Sequence, residues 1–134
     1  MRALALAAIL VAVPSIACAA GPYDGSVPMK CTIEVVFACQ EAASCVRGTA
    51  QTVSLPPVIT VDVTKRLIGG DPAGRTAGIE AVGHGAGQLM IYGQDVETLG
   101  KAWGLTVTEQ TGAMWGAVLS RVGGILIFGA CAAP

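Results

Sequence analysis

Charged, aromatic and histidine side chains are all scarce in this chain. Lys and Arg number eight and Asp and Glu nine, which leaves a formal net charge of −1 over 134 residues. So balanced a composition offers no basic surface to attract nucleic acid or an anionic membrane. The two Trp, two Tyr and two Phe residues are also too few for a platform on which successive bases would stack. The sequence therefore predicts a protein without a nucleic-acid partner.

Signatures of catalysis and metal binding are missing as well. His84 is the one histidine, whereas zinc sites use three or four protein ligands. No serine lies in a G-x-S-x-G context, and C-x-x-C, P-loop and dinucleotide-binding glycine patterns do not occur. Asp95 and Glu97 are typical of a solvated acidic loop tip. These observations predict a protein that is not an enzyme and that holds neither a cofactor nor a metal.

His84 lies in the glycine-rich segment Gly83–Gly87. We expect an exposed hairpin turn there, because glycine readily adopts the positive φ angles that tight turns need. The alternative is a small periplasmic hydrolase that uses His84 as its general base, the role that histidine fills most often in enzymes.

The first twenty residues have the plan of a secretory signal peptide. Arg2 gives a short basic start, Ala3–Val13 an apolar run, and Ala17–Ala20 a cleavage site of small residues. The apolar run is shorter than the roughly 20 residues that a membrane-spanning helix needs. We therefore expect residues 1–20 to be removed and residues 21–134 to form a single domain, periplasmic or secreted, without a membrane span.

Cys18 leaves an alternative for this segment. Bacterial lipoproteins are cleaved just before a cysteine that then carries lipid. The Leu that usually stands three positions before such a cysteine is Ser15 here. A lipid anchor at Cys18 is therefore the alternative to a cleaved signal peptide.

Four further cysteines predict two disulfides. An even number of cysteines in a small exported domain indicates disulfides rather than a metal site. A turn at residues 40–44 would place Cys39 opposite Cys45 across a hairpin, at the spacing that a disulfide requires. Cys31 then pairs with Cys131, which joins the first predicted strand to the last.

Alternation of apolar and polar residues runs through most of the remaining sequence. It is clearest at Cys31–Cys39, where the odd positions are apolar, and it recurs at residues 59–64, 103–108 and 125–131. This period predicts strands with one buried face. Weaker patterns predict further strands at residues 46–55, 76–83, 87–93 and 113–120. About eight strands with short turns predict an all-β fold, a small antiparallel barrel or sandwich stapled by disulfides.

The sequence leaves open which side chains of the second predicted strand face the core. If Cys45 faces inward with Cys39, strict alternation also turns Arg47 inward. A β-bulge near Cys45–Arg47 would instead turn Val46 toward the core.

The connection at residues 65–75 is the candidate partner-binding loop. The basic residues Lys65, Arg66 and Arg75 flank the apolar pair Leu67 and Ile68. Long ordered loops are disproportionately functional, and an apolar pair between basic residues suits insertion into a partner's cleft. The alternative is that Leu67 and Ile68 pack against the end of the barrel.

The two tryptophans have different expected surroundings. Trp103 belongs to an alternating strand and is expected in the core. Trp115 alternates with Ala113 and Ala117, so we expect it to form the floor of a pocket or to fill a core flanked by alanines.

The general plan resembles that of periplasmic lysozyme inhibitors and other small bacterial barrels. The resemblance concerns the architecture, an exported β-domain with a staple between its first and last strands, and it implies no site residues. We therefore expect a non-catalytic binding or inhibitory module of the bacterial periplasm or cell envelope. Its partner would be a protein or a small apolar ligand, and a structural envelope component is the alternative.

Overall fold

The computed structural model describes residues 21–41, 44–70, 74, 76–95 and 100–132. These residues form an antiparallel sheet that curls into a half-barrel, which confirms the predicted all-β class. A short 3₁₀ helix, Ala50–Val53, interrupts the strands. The strands are β1 (Met29–Glu41), β2 (Ser44–Gly48), β3 (Val58–Asp62), β4 (Leu67–Gly69), β5 (Ala77–Gly78), β6 (Ala81–Gly85), β7 (Gln88–Asp95), β8 (Lys101–Thr108), β9 (Ala113–Ser120) and β10 (Gly123–Ala132).

The two edge strands of the curled sheet are consecutive in the chain. The strand order runs β5-β4-β3-β1-β10-β9-β8-β7-β6, and β2 pairs with β1 off this path. The end strands β5 and β6 are separated by Ile79 and Glu80 alone. The Ile79 amide donates a hydrogen bond to the Arg66 carbonyl, and the Glu80 amide donates one to the Tyr92 carbonyl. One short stretch of chain therefore links the two ends of the curled sheet.

A β-bulge divides β1 into two halves of opposite phase. Its register with β10 shifts by one residue between Ile33 and Val35, so Glu34 is an extra residue in β1. Ile33 is buried before the bulge, and Val36 is buried after it. The prediction that Val35 and Phe37 lie on the core face is therefore wrong, because the bulge exchanges the two faces.

This bulge also settles the phase of β2. Cys39 pairs with Cys45 and Phe37 with Arg47, and the β1–β2 register is regular over this stretch. Because Cys39 points outward after the bulge in β1, Arg47 points outward too and is exposed. No bulge at Cys45–Arg47 is needed. The predicted turn at residues 40–44 is too long, since β1 extends to Glu41 and β2 begins at Ser44.

The predicted strand at residues 46–55 is wrong in its second half. β2 ends at Gly48, and the 3₁₀ helix follows. The Thr49 amide donates to the Thr52 hydroxyl, which itself donates to the Thr49 carbonyl. Such local side-chain bonds compete with strand pairing, and a side chain at Gly48 would collide with Thr52.

The core fills one end of the half-barrel. This filled end lies where β3 and β8 finish and where β7 and β9 begin. The N-terminal segment covers it, because the Tyr23 amide donates to the Glu109 carbonyl and Gly25 lies against Val63 and Leu89. The largest fully buried side chains are Met29, Cys31, Val36, Val61, Leu89, Ile91, Val107 and Met114.

Both predicted disulfides are present. Cys31 bonds to Cys131 across the β1–β10 pair, and Cys39 bonds to Cys45 across the β1–β2 hairpin. The first bond joins residues 100 apart in the sequence and the second joins residues 6 apart. The first bond therefore removes far more freedom from the unfolded chain.

We expect the two disulfides to differ in their contributions to stability. In the chain-entropy model, replacing Cys31 and Cys131 together by Ala costs about 4–5 kcal/mol, and replacing Cys39 and Cys45 together costs about 2 kcal/mol. Urea unfolding of the two double variants measures the difference. Equal losses would contradict the assignment of the β1–β10 staple as the dominant one.

Candidate binding cleft

An open cleft occupies the end of the half-barrel that the core leaves unfilled. Its volume is about 1400 Å³. The described residues around this open end are the last residues of β1, β4 and β9, the first residues of β5, β8 and β10, and the segment that joins the 3₁₀ helix to β3. The walls are formed mainly by apolar side chains that continue from the core, namely Ile33, Ile59, Ile68, Trp103, Leu105, Val118, Ile125 and Ile127.

Polar groups are few in the cleft and of mixed type. The described lining residues include Gln40, Thr52, Ser54, Thr76 and Ser120, and Lys101 is the one with a charge. The Ser120 hydroxyl is engaged, because it donates to the Gly123 carbonyl. Lys101 lies opposite Asp95 in the β7–β8 register. The arrangement suits an apolar molecule with a few polar anchors, which is the usual character of a small-molecule site.

Trp103 forms part of the cleft wall instead of lying wholly within the core. Its indole lies over Gly93 of β7, and a side chain at Gly93 would collide with the ring. A side chain at Gly93 would also collide with the carbonyl oxygen of Gly78 in β5. Alternation along β8 predicts Trp103 on the inward face, as found. The contact with Gly93 depends on the pairing of β7 with β8, which no local pattern shows.

Trp115 neither forms the floor of an interior pocket nor fills the core, so that expectation is wrong. It projects from the outer face of β9, and 57% of its surface is exposed. Its ring meets Phe128 at 4.9 Å between centroids, and Phe128 in turn meets Phe37 at 5.8 Å. Both contacts are edge-to-face, the geometry that aromatic rings favour.

His84 lies within β6, and the turn follows it at Ala86 and Gly87. The hairpin turn expected within Gly83–Gly87 is therefore present, but it occupies only the last two residues of that segment, and His84 belongs to the strand instead of the turn. Both turn residues have positive φ angles, as a two-residue hairpin loop of this kind requires.

The His84 side chain has a carboxylate partner. Its Nδ1 lies 2.7 Å from Oε1 of Glu109, at the filled end of the barrel. Asp24 is nearby, and hydrogen bonds from Ser26 lower the pKa of Asp24, with a smaller contribution from the charge of His84. Neither His84 nor Glu109 lines the cleft, so this polar cluster is separate from it.

The segment at residues 65–75 is not a single loop. Leu67 and Ile68 belong to β4, which pairs with β3 and β5. Ile68 packs against the core and lines the cleft, whereas Leu67 is exposed. The alternative interpretation of this apolar pair therefore fits Ile68 and not Leu67. A short strand of three residues cannot be distinguished from a loop by period alone.

The basic residues of that segment are divided between different places. Lys65 is 3.7 Å from Asp62, with which it forms an ion pair, and Arg66 donates from Nη1 to the Glu80 carbonyl. Both lie at the filled end, away from the cleft. Arg75 lies outside the described residues, as do Cys18 with the predicted signal peptide and Glu97.

No protein-family model matches this chain, and no curated protein or solved structure shows a significant similarity to it. The described residues contain no helix of the length and apolar character needed to cross a membrane. Within that same part of the chain, no group of three or more His, Cys, Asp or Glu residues is arranged to hold a metal ion. The function is therefore inferred from the cleft and the surfaces of this chain.

We expect Gly93→Ala to displace Trp103 from the cleft wall. The added methyl group would overlap the indole, and overpacking of this kind typically costs about 1–3 kcal/mol. Gly78→Ala is the matched control, because a methyl group there meets nothing within 4 Å. Urea unfolding and tryptophan emission measure both effects. Unchanged stability and emission in Gly93→Ala would contradict the placement of Trp103.

We expect His84→Ala to be tolerated. The His84 side chain is 52% exposed, although that of its partner Glu109 is only 14% exposed. A pair in which one partner is open to solvent is worth about 1 kcal/mol. Thermal unfolding measures this cost, and rescue of the phenotype of a gene deletion measures function. A variant that folds normally and fails to rescue would support the hydrolase alternative instead.

Proposed function

We propose that the protein is an exported, non-catalytic binding module that takes a small apolar ligand into the cleft at the open end of its half-barrel. The observation that carries the proposal is the cleft itself. Its walls are apolar and continue directly from the core, so a ligand that enters replaces water against surfaces that favour burial.

The size of the cleft supports a small molecule. Sites for such ligands usually enclose about 300–1,000 Å³, and this cleft has about 1400 Å³ in a more open form. A ligand that buries about 400 Å² of apolar surface gains about 10 kcal/mol. Association costs at least about 4 kcal/mol of that gain. The remainder is at most about 6 kcal/mol, which corresponds to a dissociation constant no tighter than tens of micromolar.

The rigid scaffold supports a binding role for the cleft. Strands β1, β8, β9 and β10 supply most of the wall, and the Cys31–Cys131 bond fixes β1 to β10. A wall built on paired strands loses little conformational freedom when a ligand binds, which preserves affinity.

The two disulfides are compatible with an extracellular or secreted protein, because such bonds persist mainly in oxidising compartments. We propose the periplasm or the exterior as the location. The basic start, apolar run and small-residue site of residues 1–20 support this proposal.

The hydrolase alternative receives less support from the geometry. His84 contacts Glu109, but no hydroxyl or thiol of the described residues hydrogen-bonds to His84. Nucleophilic catalysis requires such a group within reach of its base. The pair also lies at the opposite end of the barrel from the cleft.

A fluorescent apolar probe, N-phenyl-1-naphthylamine, tests the proposed function. We expect it to bind with a dissociation constant of tens of micromolar and to quench Trp103 in a Trp115→Phe background, because Trp103 lines the cleft. Ile125→Lys places a charge in the apolar wall and should weaken binding at least about tenfold.

Val58→Lys is the matched control for this experiment. Val58 is exposed and apolar, and it does not line the cleft, so probe affinity should stay as in the original chain. Failure of the probe to bind, or equal loss of affinity in both lysine variants, would refute the cleft as the ligand site.

A further inference from the structure

The outer surface of the sheet contains a broad region without charge. Strands β6–β10 and residues 35–39 of β1 turn alternate residues outward, and we call these outward positions the uncharged face. Their orientation follows from their neighbours, since Leu89, Ile91, Val107 and Met114 point inward and are buried. The outward residues are Val35, Phe37, Cys39, Ala81, Gly83, Gly85, Gln88, Met90, Tyr92, Gln94, Ala102, Gly104, Thr106, Thr108, Ala113, Trp115, Ala117, Leu119, Gly124, Leu126, Phe128 and Ala130.

The rest of the outer surface is different. Lys30 of β1 and Asp62 of β3 point outward before the bulge, and Lys65 pairs with Asp62. Arg47 of β2 stands beside Phe37 at the border of the uncharged face. Outward positions on the other strands therefore do hold charged side chains. The lack of charge at the outward positions of β6–β10 is specific to the uncharged face.

Large apolar side chains on the uncharged face remain exposed. Tyr92 is 48%, Trp115 57%, Leu119 59% and Leu126 47% exposed. Protein interfaces are enriched in aromatic residues and Met and are depleted of charge at their centres. The largest exposed apolar patch of a monomeric protein, typically about 300–600 Å², is often an interaction site.

A projection and a recess lie side by side on this face. Trp115 forms the projection. Trp115 also forms one side of a groove of about 350 Å³, whose lining further includes Tyr92, Gly104, Ala117, Leu126 and Phe128. The Tyr92 ring lies over Gly104, where an added methyl group would come within 3.1 Å of it. Small residues therefore form the bottom of the groove and larger side chains form its sides.

We propose that the uncharged face is the interface of a homodimer, with Trp115 of each copy inserted into the groove of the other. A two-fold interface uses the same patch on both subunits. That patch must therefore contain both a projecting side chain and a groove that accommodates the same side chain of the other copy. The adjacent projection and groove meet this requirement. Two uncharged surfaces also meet without any like-charge repulsion.

The extent of the face agrees with a weak dimer. Six strands about 4.8 Å apart and about eight residues long give on the order of 600 Å² per copy. Stable interfaces bury about 800 Å² per partner. Because the sheet curls away from its central strands, the contact area is smaller than the whole face. Dissociation in the micromolar range and little dependence on salt follow from this apolar contact.

Sedimentation equilibrium of the protein over the micromolar concentration range tests the proposal. We expect a monomer–dimer equilibrium for the original chain. Trp115→Arg and Leu126→Arg should be monomeric over the same range, because each places a charge in the contact. Leu67→Arg is the matched control, since Leu67 is an exposed apolar residue outside the uncharged face, and it should dimerise as the original chain does.

A second measurement avoids any loss of folding in the arginine variants. In Trp103→Phe, Trp115 is the remaining tryptophan, and its emission should shift to shorter wavelength with rising concentration, in parallel with dimer formation. A monomer at every concentration, dimerisation of a folded Trp115→Arg, or loss of dimer in Leu67→Arg would overturn the proposal. Binding of monomers to vesicles of neutral phosphatidylcholine would overturn it in favour of a lipid surface.

Discussion

The pairing of β1 with β10 is the contact on which the rest of this structure depends. These strands come from opposite ends of the described chain, and their ladder brings β3 and β2 on one side together with β9, β8 and β7 on the other. Closing a loop of 100 residues is costly in chain entropy. The Cys31–Cys131 bond holds this loop closed, so the longest-range pairing in the fold is the one that is covalently fixed.

One extra residue in β1 gives the molecule its two different surfaces. Before Glu34, the strand contributes Cys31 to the filled end of the barrel and Ile33 to the inner wall beside the cleft. After it, Phe37 joins the uncharged face, and Ala38 turns toward the cleft. A bulge exchanges faces without ending the strand, so a single strand serves the core, the cleft and the outer aromatic cluster.

In the described part of the chain the buried core lies toward one end of the half-barrel, and the proposed ligand cleft lies at the other. Among the described residues, apolar side chains pack into a buried core at the filled end, whereas those at the open end form the apolar walls of the cleft. Surface of this kind gains free energy when an apolar molecule covers it. The polar pair of His84 and Glu109 lies at the filled end, where it borders the core instead of the cleft.

The sequence by itself determined the strand-rich class, the approximate places of the clearest strands and the pairing of the cysteines. These depend on local period and on the spacing of Cys39 and Cys45, which act within a hairpin. The absence of charge at alternate positions of β7 to β10 was also present in the sequence, although its meaning emerges only when those strands lie side by side.

Tertiary structure alone decided the phase of β1 after Glu34, the strand character of Leu67 and Ile68, and the exposure of Trp115. A bulge depends on the partner strand, a three-residue strand forms only because β3 and β5 pair with it, and alternation cannot tell an inner face from an outer one when both are apolar. The cleft belongs to this group as well, because the period of a strand shows which side chains point inward but not whether they meet.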